Sequence, residues 1–148
     1  MMSRLESALL MLATVLAGGS GLVLHIMKEW MTAPDPFAVA HHPWQPFVLK
    51  LHVLSVPFLV LALGMTVTAH ALARLTAGRR SGRRSGVAVL GTVVPMILSG
   101  VLIQVLTTPT ALRATVWTHL LTSLVYLGAY SVHQIVTPSR PETLPGPS

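Results

Sequence analysis

Apolar and polar positions in this chain fall into long blocks and do not alternate over short stretches. No Asp, Glu, Lys or Arg occurs in 7–27, 51–73, 85–112 or 114–139. Each block offers about 20 or more mostly apolar residues, enough at a helical rise of about 1.5 Å to cross a hydrocarbon core of about 30 Å. The pattern predicts an all-α membrane protein with four spans near 8–27, 48–73, 86–106 and 115–136. Pro57 and Pro95 fall inside the second and third spans, where they would kink the helices. The stretch 138–148 is proline-rich, has little to bury, and is expected to be a disordered tail.

Composition agrees with the blocks. Apolar residues make up 52% of the 148, charged residues 9%, and mean hydropathy is +0.68. The formal charge of +6 would suggest nucleic acid in a soluble protein. Here it is carried mainly by Arg74, Arg79, Arg80, Arg83 and Arg84, between spans two and three, and reads as a topology signal with no nucleic-acid role. The positive-inside rule puts that loop in the cytoplasm of a bacterial-type inner membrane. An even number of spans then puts both termini on the same side, in keeping with Arg4 and Arg140. The 28–50 and 107–114 connections would face out.

The amino-terminal segment, Arg4 followed by Ala8–Ala17 and Gly18-Gly19-Ser20, has some character of a signal peptide. Its apolar run continues through Met27, which favours a retained span. The chain has no cysteine, which removes thiolate metal sites, iron–sulfur ligation and covalent c-type haem from consideration.

An internal repeat organises the spans. Ser20-Gly21-Leu22-Val23-Leu24-His25 in span one parallels Ser99-Gly100-Val101-Leu102-Ile103-Gln104 in span three. Leu63-Gly64 before His70 parallels Leu127-Gly128 before His133. The chain thus reads as two copies of a two-helix hairpin in an up-down bundle, with spans two and four running the same way.

Those two spans carry the candidate chemistry. His52 and His70 are eighteen residues apart, and His119 and His133 fourteen apart. At about 100° per residue each pair leaves one helix face, and the pairs extend roughly 27 Å and 21 Å along the axis. His52 with His119 near the outer surface, and His70 with His133 near the inner one, would make two bis-imidazole sites. Two neutral imidazoles saturate the axial positions of an iron porphyrin and give an electron carrier, so two b-type haems are expected. Tilts of about 20° would absorb much of the length mismatch.

Glycines on all four spans would let a macrocycle or a backbone approach. Arg74 is a candidate propionate partner for the inner haem, and Lys50, Arg113 and Trp117 for the outer. Ser55, Thr66, Thr118, Ser123 and Ser131 are candidates for orienting the imidazoles. His25, at the outer end of span one, has three open roles: replacing His52 as ligand, lining a quinone pocket, or hydrogen-bonding at the interface. His41 and His42 read as interfacial residues of the outer loop.

The chain resembles the small four-helix di-haem cytochrome b subunits found with membrane formate dehydrogenases and nickel–iron hydrogenases. The resemblance runs from about Gly21 to Gln134. It is carried by His119 and His133 at the group's spacing of fourteen, by His25 and His52, and by Ser99-Gly100. It implies electron transfer between the quinone pool and a partner's redox centre, with a periplasmic c-type or iron–sulfur subunit as partner and lipid around the bundle. In that group one haem takes a ligand from the first span. Here His25 lies at the outer end of that span, and His70 supplies the inner ligand from span two.

The rival reading is a haem-free membrane subunit, in which the histidines relay protons or pack helices. The near absence of acidic residues in the spans argues against proton conduction. A nucleotide motif, an HExxH motif, paired carboxylates and a soluble catalytic domain are all lacking, so the chain reads as an electron-transfer subunit of an oxidoreductase complex, in which any turnover would be quinol oxidation or quinone reduction.

Overall fold

In the computed structural model the described residues are 3–33, 35, 37, 40–67 and 83–136, and they form four α-helices and no strand. The helices are α1 (Arg4–Glu29), α2 (Gln45–Thr66), α3 (Arg83–Val105) and α4 (Pro109–Val136). They divide into two compact units, Met1–Gly78 and Arg79–Ser148. In the first, α1 packs on α2; in the second, α3 packs on α4.

α1 begins at a capping box. The Ser3 hydroxyl accepts from the Glu6 amide at 3.1 Å, and the Ser3 amide donates to the Glu6 carboxylate at 2.8 Å. From there the helix runs unbroken for 26 residues, longer than the apolar block that predicted it. α2 starts at Gln45 with Pro46 in its first turn, where the missing N–H costs nothing. Pro57 and Pro95 both lie inside helices that continue past them.

α4 departs most from expectation. The fourth span was expected from 115, but the helix begins six residues earlier at Pro109, leaving only 106–108 as the turn after α3. Pro109 is preset for a first helical position, and the Leu112 amide already donates to the Thr108 carbonyl at 2.9 Å. Arg113 ends the apolar block, but a charge does not end a helix. Helix limits and membrane limits are different boundaries.

Among the described residues three helical segments are long and apolar enough to cross a membrane: Arg4–Glu29, Gln45–Thr66 and Val87–Val105. The fourth expected span falls in α4, which has the length but is diluted by His119, His133, two tyrosines and a run of hydroxyl residues. The predicted extension of span two to 73 lies outside the described residues, as do Arg74 and the 138–148 tail.

Each unit has an antiparallel register and a narrow internal seam. On α1 the inward stripe includes Leu10, Ala13, Thr14, Ala17, Ser20 and Met27; on α2 it includes Ser55, Leu59, Ala62 and Leu63. These recur at three- and four-residue steps, the spacing of one helix face. The small side chains on α1 let the two backbones approach, as helices in lipid must when packing rather than water exclusion holds them. Among the described residues of the second unit, Met96 and Ser99 of α3 and Tyr126 of α4 are buried.

Much of the remaining surface is apolar. Leu12, Val15, Leu54, Leu61, Val94 and Leu121, for example, are all more than half exposed. Such faces suit lipid contact. The α1–α2 connection carries exposed Trp30, Phe37 and Trp44, aromatics of the kind that settle at the lipid headgroups.

Candidate functional site

The first unit holds His52 on the inward stripe of α2, half-buried against α1. Its Nδ1 lies 2.9 Å from the Ala17 carbonyl oxygen and 3.3 Å from the Ser20 hydroxyl. A carbonyl oxygen can only accept, so the ring proton sits on Nδ1 and is shared between these two oxygens. The Ser20 hydroxyl spends its own proton on the Leu16 carbonyl, leaving a lone pair toward the ring. In the neutral ring Nε2 is then the nitrogen that carries the basic lone pair.

Gly21 completes the seat. A Cβ at that position would lie 2.9 Å from His52 Cε1 and 3.2 Å from Nδ1, closer than side chains pack. Hydrogen at Gly21 is what lets the imidazole lie against the α1 backbone. Nε2, at 3.8 Å, is the ring nitrogen farther from this contact.

The second unit repeats the arrangement atom for atom. His119 of α4 donates from Nδ1 to the Met96 carbonyl at 3.0 Å, with the Ser99 hydroxyl at 3.3 Å. Ser99 in turn donates to the Pro95 carbonyl at 2.6 Å. A Cβ on Gly100 would lie 3.1 Å from His119 Cε1 and 3.4 Å from Nδ1. At Gly19, Gly64, Gly91 and Gly128, by contrast, an added Cβ would meet nothing within 4 Å.

The two hydroxyls that face the rings, Ser20 and Ser99, are not among those expected from sequence. Ser55 donates to the His52 carbonyl, Thr66 to Ala62, Thr118 to Ala114 and Ser131 to Leu127, each within its own helix. This is the ordinary way for a hydroxyl inside a helix to satisfy itself. Ser20 and Ser99 do the same, but they also face a ring across the hairpin. Their sequence signal was present as the repeated Ser-Gly pair, each on the helix preceding a histidine helix.

His133 lies on the same stripe of α4 as His119. His119, Tyr126 and His133 recur at seven-residue steps, and Tyr126 is the most deeply buried large side chain, 1% exposed. The one-face reading of His119 and His133 thus agrees with the burial pattern. His70 falls outside the described residues. His25 is half-buried, one turn beyond Gly21, on the α1 face that carries the His52 seat. Lys50 and Arg113 are exposed, and Trp117 is half-exposed, within two turns of His52 or His119.

The outer-loop histidines have local roles. His41 Nδ1 donates to the Lys28 carbonyl at 2.8 Å, tying the loop to the last turn of α1, and its amide donates to the Gln45 side chain at 2.9 Å. His42 Nδ1 accepts from the Trp44 amide at 3.2 Å. Among the described residues no group of three or more His, Asp or Glu side chains could hold a metal ion. Axial haem ligation needs only one imidazole on each side of the iron.

The imidazoles present fit such a ligand role. A metal-ligating histidine characteristically donates its other ring N–H to a carbonyl or carboxylate, which fixes the tautomer and raises ligand basicity. His52 and His119 both have that bond. No family model matches the chain, and no curated protein or solved structure matches it either.

Proposed function

We propose that the chain is an integral-membrane b-type di-haem cytochrome subunit, moving electrons between the quinone pool and a partner redox protein. The observation that carries this reading is the matched orientation of His52 and His119. Both rings are held by Nδ1–H donation to a helix carbonyl, over a glycine, with the lone pair assigned to Nε2. A membrane helix carries ionisable side chains at a cost, so two histidines seated identically point to a shared task.

In this reading His52 and His119 would hold the outer haem, and His70 and His133 the inner one. Bound iron porphyrin would supply reversible one-electron chemistry. The residues do the rest. Ala17, Ser20, Met96 and Ser99 hold the ring protons on Nδ1 and keep each imidazole from rotating. Lys50, Arg113 and Trp117 offer a polar rim for propionates at the outer side, and Arg74 at the inner. The arginine-rich segment faces the cytoplasm of the inner membrane, with both termini on that side. The partner is a periplasmic c-type or iron–sulfur subunit.

A second reading has its own support. The same Nδ1 bonds join α1 to α2 and α3 to α4, so they would also serve a haem-free assembly subunit as clamps. The visible spectrum separates the two. A reduced-minus-oxidised spectrum with pyridine haemochrome quantification on the purified chain should give two haems b per chain, and His52→Ala or His119→Ala should remove one. Intact, folded protein without haem overturns the cytochrome reading and leaves the clamp.

A further inference from the structure

We infer that Ser20-Gly21 and Ser99-Gly100 are the positioning residues of His52 and His119, each hairpin building one seat for an imidazole held with its proton on Nδ1. Three elements make each seat. A helix carbonyl accepts the ring N–H at 2.9 Å or 3.0 Å, a serine hydroxyl adds a second acceptor at 3.3 Å, and a glycine gives the ring room to reach both.

The acceptor carbonyls occupy corresponding places. Ala17 lies three residues before Ser20 and four before Gly21; Met96 stands in the same relation to Ser99 and Gly100. A carbonyl four residues before a helical amide is already its hydrogen-bond partner, and its second lone pair is the one that meets the ring. The serine hydroxyl, bonded back to the carbonyl four residues before it, is fixed with its lone pairs outward. The two imidazoles are thus held by the same three elements, each within its own helix pair.

The glycine is the discriminating residue. A methyl at position 21 would press on the ring at 2.9 Å from Cε1 and 3.2 Å from Nδ1, the atom that donates to Ala17, so the ring must shift. At position 100 the corresponding contact is 3.1 Å, so the same substitution demands a smaller retreat. The two sites should therefore respond in the same direction and in graded amount, His52 more than His119.

The test uses the full chain in detergent with 15N-labelled histidine, without added haem, so it does not depend on the cytochrome reading. Wild-type protein should show both His52 and His119 as Nδ1–H tautomers, assigned with His52→Asn and His119→Asn. Gly21→Ala should abolish that signature at His52 and leave His119 unchanged. Gly100→Ala should weaken it at His119. Gly19→Ala, with open space around its Cβ, should change neither. Ser20→Ala, a milder change, should keep the tautomer through the Ala17 carbonyl but move the Nδ1 proton to higher field.

A second arm, resting on the proposed function, reads the haem-loaded chain: Gly21→Ala should convert part of the low-spin bis-imidazole spectrum to high spin. Gly21→Ala with helix content intact and His52 still an Nδ1–H tautomer overturns the seat. A wild-type chain that shows both tautomers but binds no haem upholds the seat and removes the cytochrome reading alone.

Discussion

Tyr126 is the residue whose removal should cost the second unit most. It is 1% exposed, it lies midway between His119 and His133 on one stripe of α4, and its ring stacks on Tyr130 at 6.0 Å and 16°. In lipid the unfolded reference is also apolar, so water-to-oil transfer drops out and lost packing remains. Truncation to alanine opens a void on the order of 100 Å³, which at about 24 cal/mol per Å³ costs about 2.4 kcal/mol. The stacked pair adds about 0.5–1.5 kcal/mol. Tyr126→Ala should therefore destabilise the chain by about 3 kcal/mol. Tyr126→Phe keeps the ring and the stack and should cost clearly less than the alanine change. Leu124→Ala, at a position 45% exposed, is the control and should stay within about 0.5 kcal/mol. Equilibrium unfolding in mixed micelles, followed by far-UV circular dichroism and Trp117 fluorescence, measures all three. Equal midpoints for Tyr126→Ala and Leu124→Ala would refute the packing of α4 on α3.

Three other consequences can be measured directly. His41→Ala removes the bond to the Lys28 carbonyl and should cost no more than about 1.5 kcal/mol, seen as faster amide exchange in the last turn of α1 with the His52 seat unaffected. Gly91→Ala, where a Cβ meets nothing, should be neutral or stabilising by up to about 1 kcal/mol in thermal unfolding; a clear loss would mean that face is in close contact. Because the chain has no cysteine, single introduced thiols report topology cleanly. Ser81→Cys should react with impermeant maleimide only from the cytoplasmic side and Thr107→Cys only from outside, and the reverse pattern would invert the proposed orientation.

The charge-free blocks made the helices legible, because placing a charge in lipid is costly enough to leave a visible gap in the sequence. The same signal misplaced the start of α4: it marks where apolar residues begin, whereas Pro109 and the Thr108 carbonyl mark where the helix begins. The alignment of His119 with His133 was legible because it depends only on the turn of one helix. What orients His52 and His119 was not, because it depends on which residues of the neighbouring helix come opposite. Ser55, three residues from His52 in sequence, bonds its own helix; Ser20, thirty-two residues away, meets the ring.

That register could not be counted from the connections either. Residues 30–44 join α1 to α2, whereas only 106–108 join α3 to α4, yet both hairpins arrive at the same carbonyl, hydroxyl and glycine around one imidazole. His52 is the eighth residue of α2 and His119 the eleventh of α4, so the depth of the seat in its helix differs as well. Two connections so unequal in length do not impose a common arrangement. The seat itself supplies it. The ring bonds to one carbonyl, and only the glycine at that turn leaves room for it, so sliding either helix by one residue would break the bond and bring a side chain into the ring. The feature that orients the candidate ligands is thus also the feature that aligns each pair of helices.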